Sequence, residues 1–236
     1  MCTSLIFQSN KSIRIFPDGF SFYKKNKGNE EEVKQTFTGS SSTIASEAPY
    51  FFELDENQTE DIQIIVATVP PVLIPKPLFQ AEKMQDYLKF QFETAEIGKS
   101  FSDEIESYRS IYFLDQKAVN ALKRLNINTH YVHEITLLLK DGIKRSQSRN
   151  FVLLSLNKSF ADFIVWKDEK LMMVNRFNFT SEIDMLFYLL HVIQQFDMKE
   201  TSCKIYLNYF IERNPKLITL LNTYIGDMEI VSVDLK

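Results

Sequence analysis

The chain has 236 residues, of which 44% are hydrophobic and 25% charged, and its formal net charge is −4 at pH 7. This is the composition of an ordinary globular protein, long enough for one large domain or two small ones. The slightly acidic balance excludes the basic surface on which nucleic-acid binders depend, so no nucleic-acid partner is expected. Six glycines also lie well below the usual share of about 7%, which leaves few positions for a phosphate-binding loop.

The sequence lacks the patterns that predict secretion or membrane insertion. The most apolar window, Ile183 to Ile193, has about half of the roughly 20 residues that a bilayer-spanning helix needs, and it includes Asp184. Cys2 and Cys203 are too few for a disulfide framework or a four-ligand zinc site. We therefore expect a cytoplasmic protein with no integral membrane segment, and a peripheral role at a membrane complex stays open.

The first half of the chain predicts three strands followed by alternating helices and strands. Pro17-Asp18-Gly19 is typical of the turn between the first two strands. The predicted elements are, in chain order, strands Ser12–Phe16, Phe20–Lys24 and Val33–Phe37, a loop or helix within Ser41–Glu56, a strand Ile62–Val69, a proline-rich loop Pro70–Pro77, a helix Leu78–Phe90, a strand Ser110–Leu114, a helix Gln116–Leu125, a strand Asn128–Tyr131 and a helix His133–Lys144.

The second half gives a clearer pattern of the order βββαβαβ. Ser181 is expected to cap the first helix, with Asp184 in its first turn. Apolar residues occupy nearly all sides of that helix, which predicts a central, buried position. The predicted elements are strands Phe151–Leu156, Phe160–Trp166 and Leu171–Phe177, a helix ending near Phe196, a strand Cys203–Tyr209, a helix Pro215–Tyr224 and a strand Met228–Val233.

The two halves share an element order, which predicts an internal duplication. The basic, polar segment Lys144–Asn150 separates them. We expect one α/β domain over residues 1–146 and a second over residues 147–236.

This order resembles the actin-like ATPase fold, and it is similar to the cytoplasmic actin-like proteins of bacterial type IV pilus and type II secretion assemblies. The resemblance implies two ribonuclease-H-like domains of the βββαβαβ type around a cleft. Several local strings also resemble an uncharacterised bacterial family of about this length. These strings are Ser12–Phe22, Val72–Pro75 with Leu78–Phe79, Val174–Phe177 and Ser181–Gln195.

Actin-like ATPases hold nucleotide between two hairpins, each with Asp-x-Gly on its first strand for magnesium and phosphate. The corresponding positions in the second half are Ser155 and Asn157, so both the acid and the glycine are missing. The first half offers Asp18 and Gly19 in a turn, where an Asp-Gly pair is ordinary hairpin chemistry.

A third nucleotide contact implied by the resemblance is a glycine pair after the strand that begins at Cys203. The sequence has Asn208, Tyr209 and Phe210 there, and aromatic side chains would stand where a ligand approaches the backbone. Asp18, Gly19, Ser155, Asn157 and Asn208 are therefore the candidate positions of a degenerate cleft. We expect no nucleotide cofactor.

Metal-dependent chemistry finds equally little support. A ribonuclease-H-like nuclease needs an acid on the first strand, but the second half offers Asp162 on the second strand and Asp184 at a helix cap. His130, His133 and Glu134 match neither the zinc-binding His-Glu-x-x-His pattern nor its inverse. We expect neither a metal site nor catalytic residues.

The sequence thus predicts a non-catalytic or catalytically degenerate actin-like protein that acts as a protein-interaction or assembly module. Its partner would be another protein. The alternative is a nucleotide-dependent switch or weak ATPase that uses a diverged cleft. The sequence predicts neither the partner's identity nor the oligomeric state.

Overall fold

The computed structural model describes residues 10–25, 32–55, 59–93, 98–146, 150–198, 203–209 and 214–231. These residues form two compact units, and the chain passes from the first to the second between Leu137 and Leu138. The domain boundary expected after residue 146 stays a prediction.

The first unit contains two β-sheets. Its elements are β1 Lys11–Phe16, β2 Gly19–Lys25, β3 Glu32–Thr38, α1 Ile44–Phe52, β4 Glu60–Val66, β5 Val72–Pro75, α2 Met84–Phe92, β6 Lys99–Ile105, β7 Tyr108–Leu114, α3 Gln116–Lys123, β8 Ile127–His133 and the start of α4 Glu134–Arg145. The larger sheet has the strand order β3-β2-β1-β4-β8, and the smaller has the order β5-β7-β6. β1 is parallel to β4, which is parallel to β8.

Alternating apolar residues of the larger sheet form the core of the first unit. Ile13 and Ile15 of β1, with Phe20 and Phe22 of β2, are all at most 1% exposed and pack with residues of α1 and α3. Asp115 caps the N-terminus of helix α3, where its carboxylate accepts a hydrogen bond from the Ala118 N–H at 2.9 Å. The expected strand-turn-strand unit at the start of the chain is present.

The small sheet contains two strands that we did not predict. β5 lies inside the proline-rich segment expected to be a loop, and Pro75 ends it. β6 has too many polar residues for its alternation to be recognised. Helix α2 begins at Met84 rather than Leu78, because two short 3-10 turns at Lys76–Leu78 and Ala81–Lys83 come first.

The second unit repeats the βββαβαβ order. After the end of α4 its elements are β9 Phe151–Leu156, β10 Phe160–Lys167, β11 Lys170–Asn178, α5 Glu182–Gln195, β12 Lys204–Tyr209, α6 Pro215–Tyr224 and β13 Asp227–Val231. Its sheet has the order β11-β10-β9-β12-β13, the same as the larger sheet of the first unit. In the second unit, β9 is antiparallel to β10 and parallel to β12, which is parallel to β13. The strands of the larger sheet in the first unit follow the same pattern. The predicted duplication is confirmed.

Helices α5 and α6 cover one face of this sheet. Leu154 and Phe163 of the sheet pack with Met185 and Leu189 of α5, and all four are fully buried. Ser181 and Asp184 cap α5 reciprocally, since the Asp184 N–H donates to Ser181 Oγ at 3.1 Å and the Ser181 N–H donates to Asp184 Oδ2 at 3.0 Å. The predicted cap is therefore in place.

The prediction that α5 is buried on all sides is wrong. Ile183 and Phe187 lie one turn apart on its outer side and are 70% and 63% exposed. The sheet and α6 cover the other sides of the helix, but the outer side has no cover within the described part of the second unit. No helix among the described residues has the length and hydropathy to cross a membrane.

Candidate functional site

Four polar residues form one row across neighbouring strands of the sheet in the second unit. Ser155 on β9 is paired with Asp162 on β10, and Asp162 is paired with Arg176 on β11. On its other side Ser155 is paired with Asn208 on β12. Directly paired residues lie on the same face of a sheet, here the face opposite α5 and α6. Ser155, Asp162 and Asn208 are 0%, 0% and 3% exposed.

The residues of this polar row satisfy one another. Arg176 donates two hydrogen bonds to Asp162, from Nε to Oδ1 at 2.7 Å and from Nη2 to Oδ2 at 2.9 Å. Its guanidinium carbon also lies 3.8 Å from the centre of the Phe160 ring, a cation–π contact. Asn208 Nδ2 donates to Ser155 Oγ at 3.3 Å. Burial removes water, so this two-point pairing is what makes a charge tolerable in the row.

Asn157 lies beside the row, directly after β9. It is 4% exposed, and its N–H donates to the Phe160 carbonyl at 2.9 Å, which closes the β9–β10 turn. A Ser hydroxyl at 155 does not supply the carboxylate that magnesium prefers. Asn157 also has a side chain where the Asp-x-Gly motif has a glycine, the residue whose backbone phosphate can approach closely. The structure thus brings Ser155, Asn157 and Asn208 together at the ends of β9 and β12.

The first unit has a comparable buried pair that the sequence analysis missed. Arg14 on β1 occupies the counterpart of Ser155, because each lies between two buried aliphatic residues of the first strand of its sheet. Arg14 Nε donates to Glu134 Oε2, and the two side chains are 2% and 0% exposed. An arginine within the apolar run of β1 was the available signal. Its partner lies 120 residues away.

Asp18 and Gly19 have local roles in the first unit. Asp18 is exposed in the two-residue turn, and its carbonyl accepts a hydrogen bond from the Gly39 N–H at 2.9 Å. Gly19 is buried, and a Cβ at this position would overlap the Phe37 carbonyl oxygen. The missing side chain of Gly19 therefore allows β3 to approach β2 closely. The assignment of both residues to a degenerate cleft stays a prediction.

His130 and His133 do not lie together as a pair of metal ligands would. His130 and His133 lie three residues apart on β8, so their side chains point to opposite faces of the sheet. His130 Nε2 lies 3.7 Å from Asp61 Oδ1. His133 Nδ1 accepts from the Ile135 N–H at 3.0 Å, which leaves Nε2 to donate to the Val69 carbonyl at 2.8 Å. Among the described ranges, no three His, Cys, Asp or Glu side chains are grouped as metal ligands.

The two sheets of equal strand order define the class of protein: a duplicated ribonuclease-H-like architecture, the fold of the actin-like ATPases. The family model described as "Protein of unknown function (DUF3822)" matches residues 7–228, and the chain belongs to this family. No curated protein matches the sequence.

Solved structures agree on the fold. A Bacteroides thetaiotaomicron protein described as having an actin-like ATPase fold and unknown function is similar at 18% identity and a TM-score of 0.73, over 98% of this chain and 94% of that one. A chain of the PilM–PilN type IV pilus biogenesis complex is similar at 10% identity and a TM-score of 0.63, over 94% and 88%. The ethanolamine utilization protein EutJ from Carboxydothermus hydrogenoformans gives 4% identity and a TM-score of 0.52, over 100% and 89%.

Proposed function

We propose that this chain is a non-catalytic, or catalytically degenerate, actin-like protein that works in the cytoplasm as a protein-interaction or assembly module. The observation that carries the proposal is the mutual pairing within the polar row. In the second unit, two of the candidate cleft positions bond to each other, since Asn208 donates to Ser155. The neighbouring Arg176 and Asp162 of the row form an ion pair. These contacts hold strands together.

The charges of the polar row also support a structural role rather than nucleotide binding. Asp162 needs the full guanidinium of Arg176 to balance its buried charge. A triphosphate placed beside Ser155 would add negative charge next to Asp162, and the row offers no carboxylate free to hold the magnesium that usually screens it. A phosphate at this place would therefore lack a free cation of the row, because the Arg176 guanidinium is already bonded to Asp162.

The interaction half of the proposal is supported by the fold comparison. A chain of similar fold is part of the PilM–PilN type IV pilus biogenesis complex. An actin-like chain can thus serve in an assembly with another protein. The corresponding partner of this chain would be a protein, bound without turnover of nucleotide.

A melting experiment with nucleotide separates this proposal from the alternative, a nucleotide-dependent switch or weak ATPase. A ligand present at about 100 times its dissociation constant stabilises the native state by about 2.7 kcal/mol, which raises the melting temperature by several degrees. We expect no shift with millimolar Mg-ATP relative to magnesium chloride alone. A saturable rise in melting temperature would support the switch and contradict the proposal.

The interaction itself is tested by purification from the native cells. The chain, tagged at its own locus and cross-linked before lysis, is expected to retain a defined second protein in near-equal amount. A tagged, unrelated globular protein of similar size and charge serves as the control. Recovery of the chain with the same background proteins as the control would contradict an assembly role.

A further inference from the structure

His133 lies where strand β8 passes directly into helix α4. The strand ends at His133 and the helix begins at Glu134, so no loop residue separates them. The first N–H groups of a helix have no partner within the helix and need an acceptor from outside it. His133 supplies one, because its Nδ1 accepts the Ile135 N–H at 3.0 Å. The imidazole thus caps α4, a role that usually falls to Ser, Thr, Asp or Asn.

The other nitrogen of the same ring connects the start of α4 to the small sheet. His133 Nε2 donates to the carbonyl of Val69, which lies between β4 and β5. The small sheet is an insertion into the duplicated architecture. Residues 67–115 separate β4 from α3, whereas residues 210–214 separate the corresponding β12 from α6. His133 therefore holds a helix start and the entry to the inserted segment with one side chain.

The surroundings of the ring are suited to a neutral imidazole. His133 is fully buried, and the Tyr112 ring packs edge-on against it at 5.1 Å between ring centres. Asp103 Oδ1 accepts from the Tyr112 hydroxyl at 2.9 Å, and Oδ2 accepts from the His133 backbone N–H at 2.8 Å. Burial and the positive end of the α4 macrodipole oppose a charge on the ring, while the Asp103 carboxylate favours it.

The remaining titratable groups nearby keep one charge state through the range in which histidine titrates. Burial raises the pKa of Tyr112, which is therefore uncharged at neutral and acidic pH. Glu134 is paired with Arg14. The segment Val66–Val69 has no charged side chain. His133 is thus the group of this junction that gains a proton near pH 6.

We propose that His133 is a proton-sensitive cap, whose protonation opens the first turn of α4 together with its connection to Val69 while the rest of the first unit stays folded. A proton on Nδ1 replaces the acceptor with a donor that faces the Ile135 N–H, so the cap is lost. The charged ring also adds positive charge at the start of the helix. The ring therefore takes up the proton by leaving its site, and both of its hydrogen bonds break.

Proton linkage gives the size of the effect. A solvated histidine has a pKa of about 6.5, so the open state binds one proton below this pH that the closed state excludes. The stability of the closed junction is therefore fully present above about pH 6.5 and falls as pH decreases. One proton of difference makes opening about tenfold more frequent for each pH unit.

Amide hydrogen exchange of the full chain between pH 8 and pH 5, corrected for the intrinsic effect of pH, tests the proposal. We expect the protection of the first turn of α4 to be constant above about pH 7 and to fall about tenfold per unit below about pH 6. The protection of α3 should stay constant. His133→Asn keeps an acceptor for the Ile135 N–H but takes up no proton, so it should abolish the fall. The matched control is His191→Asn, an exposed site on α5 of the other unit, which should retain it.

Constant protection of the α4 turn in the wild-type chain would overturn the proposal. A fall that His133→Asn retains, or that α3 shares, would also overturn it. If His133→Asn does not fold, nitrogen NMR of the wild-type imidazole decides: we expect a neutral ring with its proton on Nε2 at pH 7, and a charged ring or a proton on Nδ1 would contradict the cap. The test uses neither nucleotide nor partner, so its failure would leave the proposed function standing.

Discussion

Arg176 donates two hydrogen bonds to Asp162 in the sheet of the second unit, and the two side chains are 7% and 0% exposed. A buried ion pair of this kind differs from a surface salt bridge, because either charge alone would be left without water or a counter-ion. The pair joins β10 to β11, so it stabilises the second hairpin of the second unit.

Removal of one partner is expected to cost more than removal of both. Arg176→Met or Asp162→Leu alone leaves an uncompensated buried group and should lower the free energy of unfolding by about 3–5 kcal/mol. The double variant should be clearly more stable than either single variant. Urea unfolding followed by the fluorescence of Trp166, the single tryptophan, measures all three. Additive losses would contradict a buried pair.

A methyl group at Gly142 is expected to destabilise the second unit. Gly142 of α4 lies so close to the Trp166 ring that an added Cβ would overlap it. Gly142→Ala should therefore cost about 1–3 kcal/mol through overpacking, although alanine is the better helix former. The exposed Lys140→Ala on the same helix is the control. A gain in stability for Gly142→Ala would show that the helix does not rest on this ring.

The cap of α5 predicts a pH-dependent stability. Hydrogen bonds from Thr180 and Ser181 hold the pKa of the Asp184 carboxyl below its ordinary value. A carboxyl with a lowered pKa in the folded state contributes stability above its unfolded pKa of about 3.9, and loses it as pH falls through the folded value. Asp184→Asn should thus lower the melting temperature at pH 7, with a difference from wild type that shrinks below about pH 4. A difference that is constant from pH 7 to pH 3 would contradict the ionised cap.

Cys203 is expected to be unreactive in the folded protein. Burial raises the pKa of its thiol to about 11, and its Sγ lies 3.9 Å from Met198 Sδ. The thiolate is the reactive form, so iodoacetamide at pH 8 should label native Cys203 very slowly and the urea-unfolded chain fully. A Cys2→Ser background restricts labelling to Cys203, since Cys2 lies outside the described residues. Rapid native labelling would place this thiol at the surface.

The sequence predicts the second unit well because its signals are local. Nearly continuous apolar runs define β9 and β10, and the Ser181–Asp184 pair defines the start of α5. β6 escaped prediction because five of its seven residues are polar or charged, which leaves too few apolar positions for an alternating pattern. The exposed side of α5 also escaped, since periodicity indicates which residues are apolar and not which of them are covered.

The candidate positions were predicted in part. Ser155, Asn157 and Asn208 were singled out from the missing phosphate motifs, and β-sheet register places Ser155 directly beside Asn208. Their neighbour Arg176 was not recognised. Its pairing with Asp162 depends on the register of β10 and β11, which the hairpin turn and a bulge between the two strands determine. The contact of Arg14 with Glu134 joins residues 120 positions apart, a relationship beyond any local pattern.

The most direct test of the central claim is a crystal structure of the chain grown with millimolar Mg-ATP. We predict no nucleotide density beside Ser155 and Asn208, with Arg176 still bonded to Asp162. An ordered triphosphate in contact with Ser155, Asn157 or Asn208 would contradict the account.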